Sequence, residues 1–364
     1  MHQPTAKPSQ QENQEDAEEH TFPSWERQGL VHGPNARHNN LGDVARDYRL
    51  GRAGRESYRC PMRPVRSLLI YAGGVFLGGA LLAPWLAWGV QSLATHVPEC
   101  QRLADHPFHR YINRSLLALA LIGLWPLLRS LGVAAWRDLG LVKPAGQGRN
   151  LSRGFALGFG SLAAVAVVVL LAGAREVNTG VSAGRWIGRV SGAALTAAVV
   201  AVLEEILFRG AIFGALRKTC GWPTAVAASS AIYALVHFFS QPPTPVEIHW
   251  TSGLVLLPTM LSGFFDVEKV IPGFFNLTLA GALLALGYQY TGNLYFSIGL
   301  HAGWIFWLKS YGFLTRDAVN SNAWFWGTSK MIDGWLALIV LASVLWLLLN
   351  LRSRAKIGEV QPAP

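Results

Sequence analysis

The chain has 364 residues, of which 51% are hydrophobic and only 14% charged, with a mean hydropathy of +0.28. That composition excludes an ordinary soluble globular domain and points to an all-α polytopic membrane protein. The formal net charge of +10 does not indicate nucleic-acid binding, because the arginines flank apolar runs and read as topology signals.

Residues 1–65 are rich in Gln, Glu, Asn, Gly and Arg and lack apolar periodicity, which reads as a disordered cytoplasmic tail. No cleavable signal peptide is evident in it. Its end is basic: Arg46, Arg49, Arg52, Arg55, Arg59, Arg63 and Arg66 precede the first apolar run and should stay on the cytoplasmic side. Residues 66–189 hold the first transmembrane helices. Ser67–Thr95 is the first span, with Pro84 as a possible kink. His96–Arg114 reads as a loop, Ser115–Leu128 begins the second span, and Gly154–Ala174 is the third. The glycine runs Gly73-Gly74 and Gly78-Gly79 suit close helix packing.

Residues 190–310 hold the chemistry. Val190–Leu203 is a run of 14 uncharged residues that leads directly into Glu204, Glu205 and Arg209. Each charge within hydrocarbon costs roughly 2.5–3.5 kcal/mol, while each apolar residue returns only about 0.3–0.6 kcal/mol. Neighbouring helices must therefore shelter this one. Glu205 and Arg209 are four apart and share a helix face. Glu204 lies about 100° away, which leaves it free to act as a general base. The plainer reading is an ion pair that closes a helix end.

Pro223–Phe239 is the fifth span and carries Tyr233 and His237 on one face; Pro242, Pro243 and Pro245 stop it. Gly253–Phe265 is short and interrupted by Pro258, which suits a re-entrant or interfacial piece. Val270–Leu308 has no Asp, Glu, Lys or Arg across 39 residues and must be two helices with a turn at Tyr290–Asn293. His301 lies in the second of them. Residues 311–364 add the last span, Gly334–Leu351, and a basic tail with Arg352, Arg354 and Lys356. Basic residues at both ends favour about eight spans with both termini cytoplasmic, and so a non-crossing Gly253–Phe265.

Glu204, Glu205, Arg209, His237 and His301 come from three helices, and intramembrane ionisable groups normally meet inside a bundle. Two histidines and a glutamate can hold and deprotonate a water and stabilise an oxyanion. The same set can ligate zinc, since His₂Glu with an open position is a catalytic zinc arrangement. The reading favours no cofactor, because neither Tyr233 nor Ile305, at the four-residue spacings that zinc helices use, is a usual ligand. A lone histidine on an apolar face is more often a packed core residue, and Tyr233 is as well read as an aromatic packing residue.

Glu204-Glu205-Ile-Leu-Phe-Arg209, Tyr233-Ala-Leu-Val-His237 and the later His301 resemble the CPBP family, the CAAX prenyl endopeptidase and bacteriocin-processing type of glutamic intramembrane proteases. The resemblance covers about a third of the chain. It implies an endopeptidase in which Glu204 and His237 activate water, His301 stabilises the oxyanion, and Glu205 and Arg209 support them. It also implies a membrane-associated protein or peptide substrate and an integral location, taken here as the cell (inner) membrane. Two positions depart from the family pattern. Tyr233 stands where Phe is usual, and Ile305 where Asn or Asp is frequent, so that Trp304 becomes the candidate to supply an N–H. The alternatives are a catalytically inactive scaffold or immunity protein, and a proton-coupled transporter.

Overall fold

The computed structural model describes residues 62–319 and 321–358. The tail expected over residues 1–65 therefore falls outside the described residues as far as 61, and most of its arginine cluster with it. Residues 359–364 fall outside them too, and the side chains of Arg352, Arg354 and Lys356 are not described.

The fold is all-α and polytopic. Its longer helices are α1 (Met62–Ala94), α2 (Phe108–Ser130), α3 (Gly148–Leu171), α4 (Ala183–Cys220), α5 (Trp222–Val236), α6 (Ser252–Met260), α7 (Val267–Thr291), α8 (Tyr295–Leu314) and α9 (Trp335–Gly358). Five of these, α1 to α4 and α7, are long and apolar enough to cross a membrane; α5, α9 and the α6 region contribute shorter apolar stretches. The strands among the described residues are β1 (Arg175–Val177) and β2 (Thr315–Asp317), paired antiparallel with Arg175 opposite Asp317.

The structure moves several of the expected boundaries. Helix α2 starts at Phe108 and not near Ser115, because Phe108, Tyr111 and Ile112 bury one face of the extra turns while Arg110 and Arg114 stay exposed on the other. Helix α4 likewise begins at Ala183, with Arg185 and Arg189 exposed in its first turns. The turn expected at Tyr290–Asn293 is present: α7 ends at Thr291 and Gly292 adopts a left-handed φ of 71°, a glycine helix stop.

Glycine spacing sets the closest helix contact. Cβ atoms built on Gly154 and Gly158 of α3 would lie 2.1 Å from the carbonyl oxygens of Phe296 and Leu300 in α8. On the other side, one on Gly299 would lie 2.1 Å from Leu151 O, and one on Gly303 would lie 2.4 Å from Phe159 N. Two Gly-x-x-x-Gly stripes thus bring the backbones together. The contacts rise together along both chains, so α3 and α8 run parallel, and β1 and β2 follow them at one end. Gly78 and Gly79 of α1 likewise meet Leu119 and Leu116 of α2, whereas nothing approaches Gly73 or Gly74 within 4 Å.

The piece between α5 and α7 returns to where it left. Ser240 N donates to Met260 O at 2.8 Å, and a Cβ on Gly263 would touch Phe238 O. Between those points α6 packs on α1 and α2, where Leu256 and Met260 join Ala83, Ala87, Phe108, Tyr111 and Ile112.

Candidate active site

Glu204 and Glu205 end the regular part of α4. The next eight residues, Ile206–Phe213, form a π-helical segment, a wider turn often found at functional sites. Every residue in it except Leu207 is buried, so this stretch is surrounded by protein on most sides. Gly210 allows Leu139 of the short turn Trp136–Leu139 to press against it, with a would-be Cβ only 3.1 Å from Leu139 Cβ.

The two glutamates differ in surroundings. Glu205 is wholly buried, and its Oε1 meets Arg209 Nη1 at 3.1 Å and His301 Nδ1 at 2.8 Å. Arg209 is itself 2% exposed; its Nη2 donates to Gly281 O, and its guanidinium carbon stacks 4.5 Å over the Tyr233 ring. Glu204 keeps 28% of its side chain exposed. Its Oε2 is buried and has no hydrogen-bond partner among the described residues.

Both histidines turn toward that oxygen. His237, at the end of α5, sits with Nδ1 2.7 Å from Tyr233 O and Nε2 4.0 Å from Glu204 Oε2. His301, in α8, sits with Nε2 3.7 Å from the same oxygen. A carbonyl oxygen faces one Nδ1, and a carboxylate already paired with an arginine faces the other. Each Nδ1 therefore carries the hydrogen, and in the neutral rings each Nε2 is the lone-pair nitrogen. Distances of 3.7 and 4.0 Å are too long for direct hydrogen bonds and suit a water that donates one hydrogen to the carboxylate and the other to one of the two ring nitrogens. Such a water would sit next to its base. Among the described residues, no three His, Cys, Asp or Glu side chains are grouped to hold a metal ion.

Six of the seven residues singled out in the sequence thus meet in one place: Glu204, Glu205, Arg209, Tyr233, His237 and His301. Trp304 does not join them through its polar atom. Its indole N–H donates to Ser161 Oγ of α3 at 2.9 Å, so that group ties α8 to α3 and is not free for an oxyanion. Ile305 is buried in the core cluster around the site. Sequence reasoning missed Ser161, although it follows Gly154 and Gly158 on the small-residue stripe of α3. It also missed Phe208, whose ring meets Tyr233 edge-on.

Residues 186–307, about a third of the chain, match the family model described as type II CAAX prenyl endopeptidase Rce1-like, and all seven residues fall inside the match. That family is one of proteases. No curated protein and no solved structure matches the chain.

Proposed function

We propose, from the Rce1-like domain at residues 186–307 and the geometry inside it, that this chain is an intramembrane endopeptidase. Its substrate is a membrane-associated protein or peptide, held so that one peptide bond reaches Glu204. One observation carries the reading: a buried carboxylate oxygen without a hydrogen-bond partner lies between two imidazole Nε2 atoms, 3.7 and 4.0 Å away.

Glu204 takes a proton from water, and the water oxygen bonds to the substrate carbonyl carbon. His237, its ring fixed by Tyr233 O, orients that water. His301, fixed by Glu205, lines the side of the pocket where the carbonyl oxygen becomes an anion. As the C–N bond breaks, the proton held by Glu204 passes to the leaving nitrogen. No cofactor takes part in this scheme. Two further points belong to the same proposal: both termini face the cytoplasm, and the protein resides in the cell (inner) membrane.

The test uses the full chain purified in detergent and an internally quenched, farnesylated peptide with a Cys-aliphatic-aliphatic-X tail. The expected result is cleavage at one peptide bond, identified by mass spectrometry, that survives a strong chelator. An intact peptide would count against the proposal. Activity lost on chelation and restored stoichiometrically by zinc would make Glu204 a ligand and overturn its role as base.

A further inference from the structure

Tyr233 touches both histidines. Its carbonyl oxygen fixes the His237 ring, and its hydroxyl lies 3.2 Å from His301 Nε2. The side chain is held on three sides. Phe208 meets it edge-on at 5.1 Å, the Arg209 guanidinium lies 4.5 Å over its face, and the His237 ring centre is 4.5 Å away. It is only 3% exposed. A phenol this confined is placed by the packing, and only its hydrogen can still turn.

The hydrogen-bond directions follow from Glu205. Its carboxylate faces Arg209, so the hydrogen between Glu205 and His301 sits on Nδ1. Nε2 of the neutral ring then accepts, and the Tyr233 hydroxyl donates to it. The His237 ring likewise carries its hydrogen on Nδ1, directed at Tyr233 O. With its hydrogen on Nδ1, a neutral imidazole at either position has no N–H to direct at a carbonyl oxygen beside Glu204. Tyr233 has an O–H that can be.

We infer that Tyr233 is a catalytic residue of this site, its hydroxyl donating a hydrogen bond to the substrate carbonyl oxygen as that oxygen becomes an anion. The inference rests on the peptidase reading above. Rotation about the Cζ–Oη bond redirects the hydrogen from His301 Nε2 to the substrate without moving the ring. A hydrogen bond to an anion is roughly twice as strong as one between neutral groups. The exchange therefore favours the transition state over the ground state, which is the condition for catalysis. The phenol keeps its proton throughout, so no covalent bond to Tyr233 forms or breaks. His301 becomes the positioning residue that holds the hydroxyl ready.

The test is kinetic, on the full chain in detergent with the farnesylated quenched peptide. Tyr233→Phe keeps the ring and removes the hydroxyl; kcat should fall roughly 100- to 1,000-fold with little change in KM. Ring-fluorinated tyrosines of graded acidity placed at position 233 should change kcat in step with their acidity at constant Tm. A ring that only packs would leave kcat flat across that series. If Tyr233→Phe keeps most of kcat, or the fluorinated series is flat, while Glu204→Gln is inactive, this inference fails and the peptidase reading stands. If Glu204→Gln cleaves at the wild-type rate, the peptidase reading itself fails.

Discussion

Glu205 and Arg209 neutralise each other with almost no exposure, and Glu205 also receives the His301 Nδ1 hydrogen. Removing one member leaves the other as an unpaired buried charge. Glu205→Gln or Arg209→Met should each lower stability by about 3–5 kcal/mol, read by thermal unfolding in detergent. The double variant buries no charge and should regain much of that loss. It should nevertheless stay slow, because a neutral amide at position 205 would no longer hold His301 as a carboxylate does. A double variant with wild-type kcat would show that Glu205 does nothing beyond pairing with Arg209. The sequence made half of this arrangement legible. A four-residue spacing on one helix announces the Glu205–Arg209 pair, but His301 is 96 positions from Glu205 and no local pattern connects them. Trp304 shows the same limit: its neighbour Ser161 is 143 positions away, on a helix that the motif spacing does not reach.

At the scale of elements, the site depends on how closely α3 and α8 approach. A side chain at Gly158 would run into Leu300 O, one residue from His301. Gly158→Val should therefore destabilise the fold by about 1–3 kcal/mol and depress activity by shifting His301. Gly160, on the same helix, has nothing within 4 Å, and Gly160→Ala should be neutral or gain up to about 1 kcal/mol of helix propensity. Equal losses in the two variants would remove the special role given to the glycine stripe. Its signal was present in the sequence as Gly154-x-x-x-Gly158 and Gly299-x-x-x-Gly303. The π segment had no comparable signal, since patterns read at about 3.6 residues per turn assume the geometry that it breaks.

A second element-scale prediction concerns the turn that presses Leu139 onto Gly210. Asp138 Oδ2 accepts the backbone N–H groups of Ala134 and Ala135, both at 2.9 Å. These two bonds hold the Asp138 carboxyl below its ordinary pKa. A depressed folded pKa means that this contribution is complete above the unfolded value of about 3.9 and is lost as pH falls through the lower, folded value. Asp138→Ala should cost about 0.5–2 kcal/mol near neutral pH, as loss of a capping carboxylate does. The difference from wild type should shrink below about pH 4. A difference that stays constant across the titration would mean that Asp138 acts by packing alone.

For the molecule as a whole, composition, the arginine flanks and the length of the apolar runs were enough to read an all-helical membrane fold. They did not give its boundaries. Phe108, Tyr111 and Ile112 extend α2 through residues that look like a polar loop, because only the packed face decides where the helix begins. The Ser240–Met260 hydrogen bond brings the chain back to the end of α5, which supports the proposal that α6 adds no crossing. Reporter fusions after the C-terminus and within the loop that follows β1 should accordingly report opposite sides. The same side for both would require α6 to cross.

Glu204 Oε2 is the atom at the centre of the proposed chemistry, close to His237 and His301 and without a hydrogen bond of its own among the described residues. The measurement that tests it most directly compares wild type with Glu204→Gln, the full chain in each case, in one detergent preparation. Both Tm and the rate of cleavage of the farnesylated quenched peptide are followed. The side-chain volume is kept and the base removed, so the predicted result is an unchanged Tm with cleavage abolished. A Glu204→Gln protein that folds normally and cleaves at the wild-type rate would contradict the central claim.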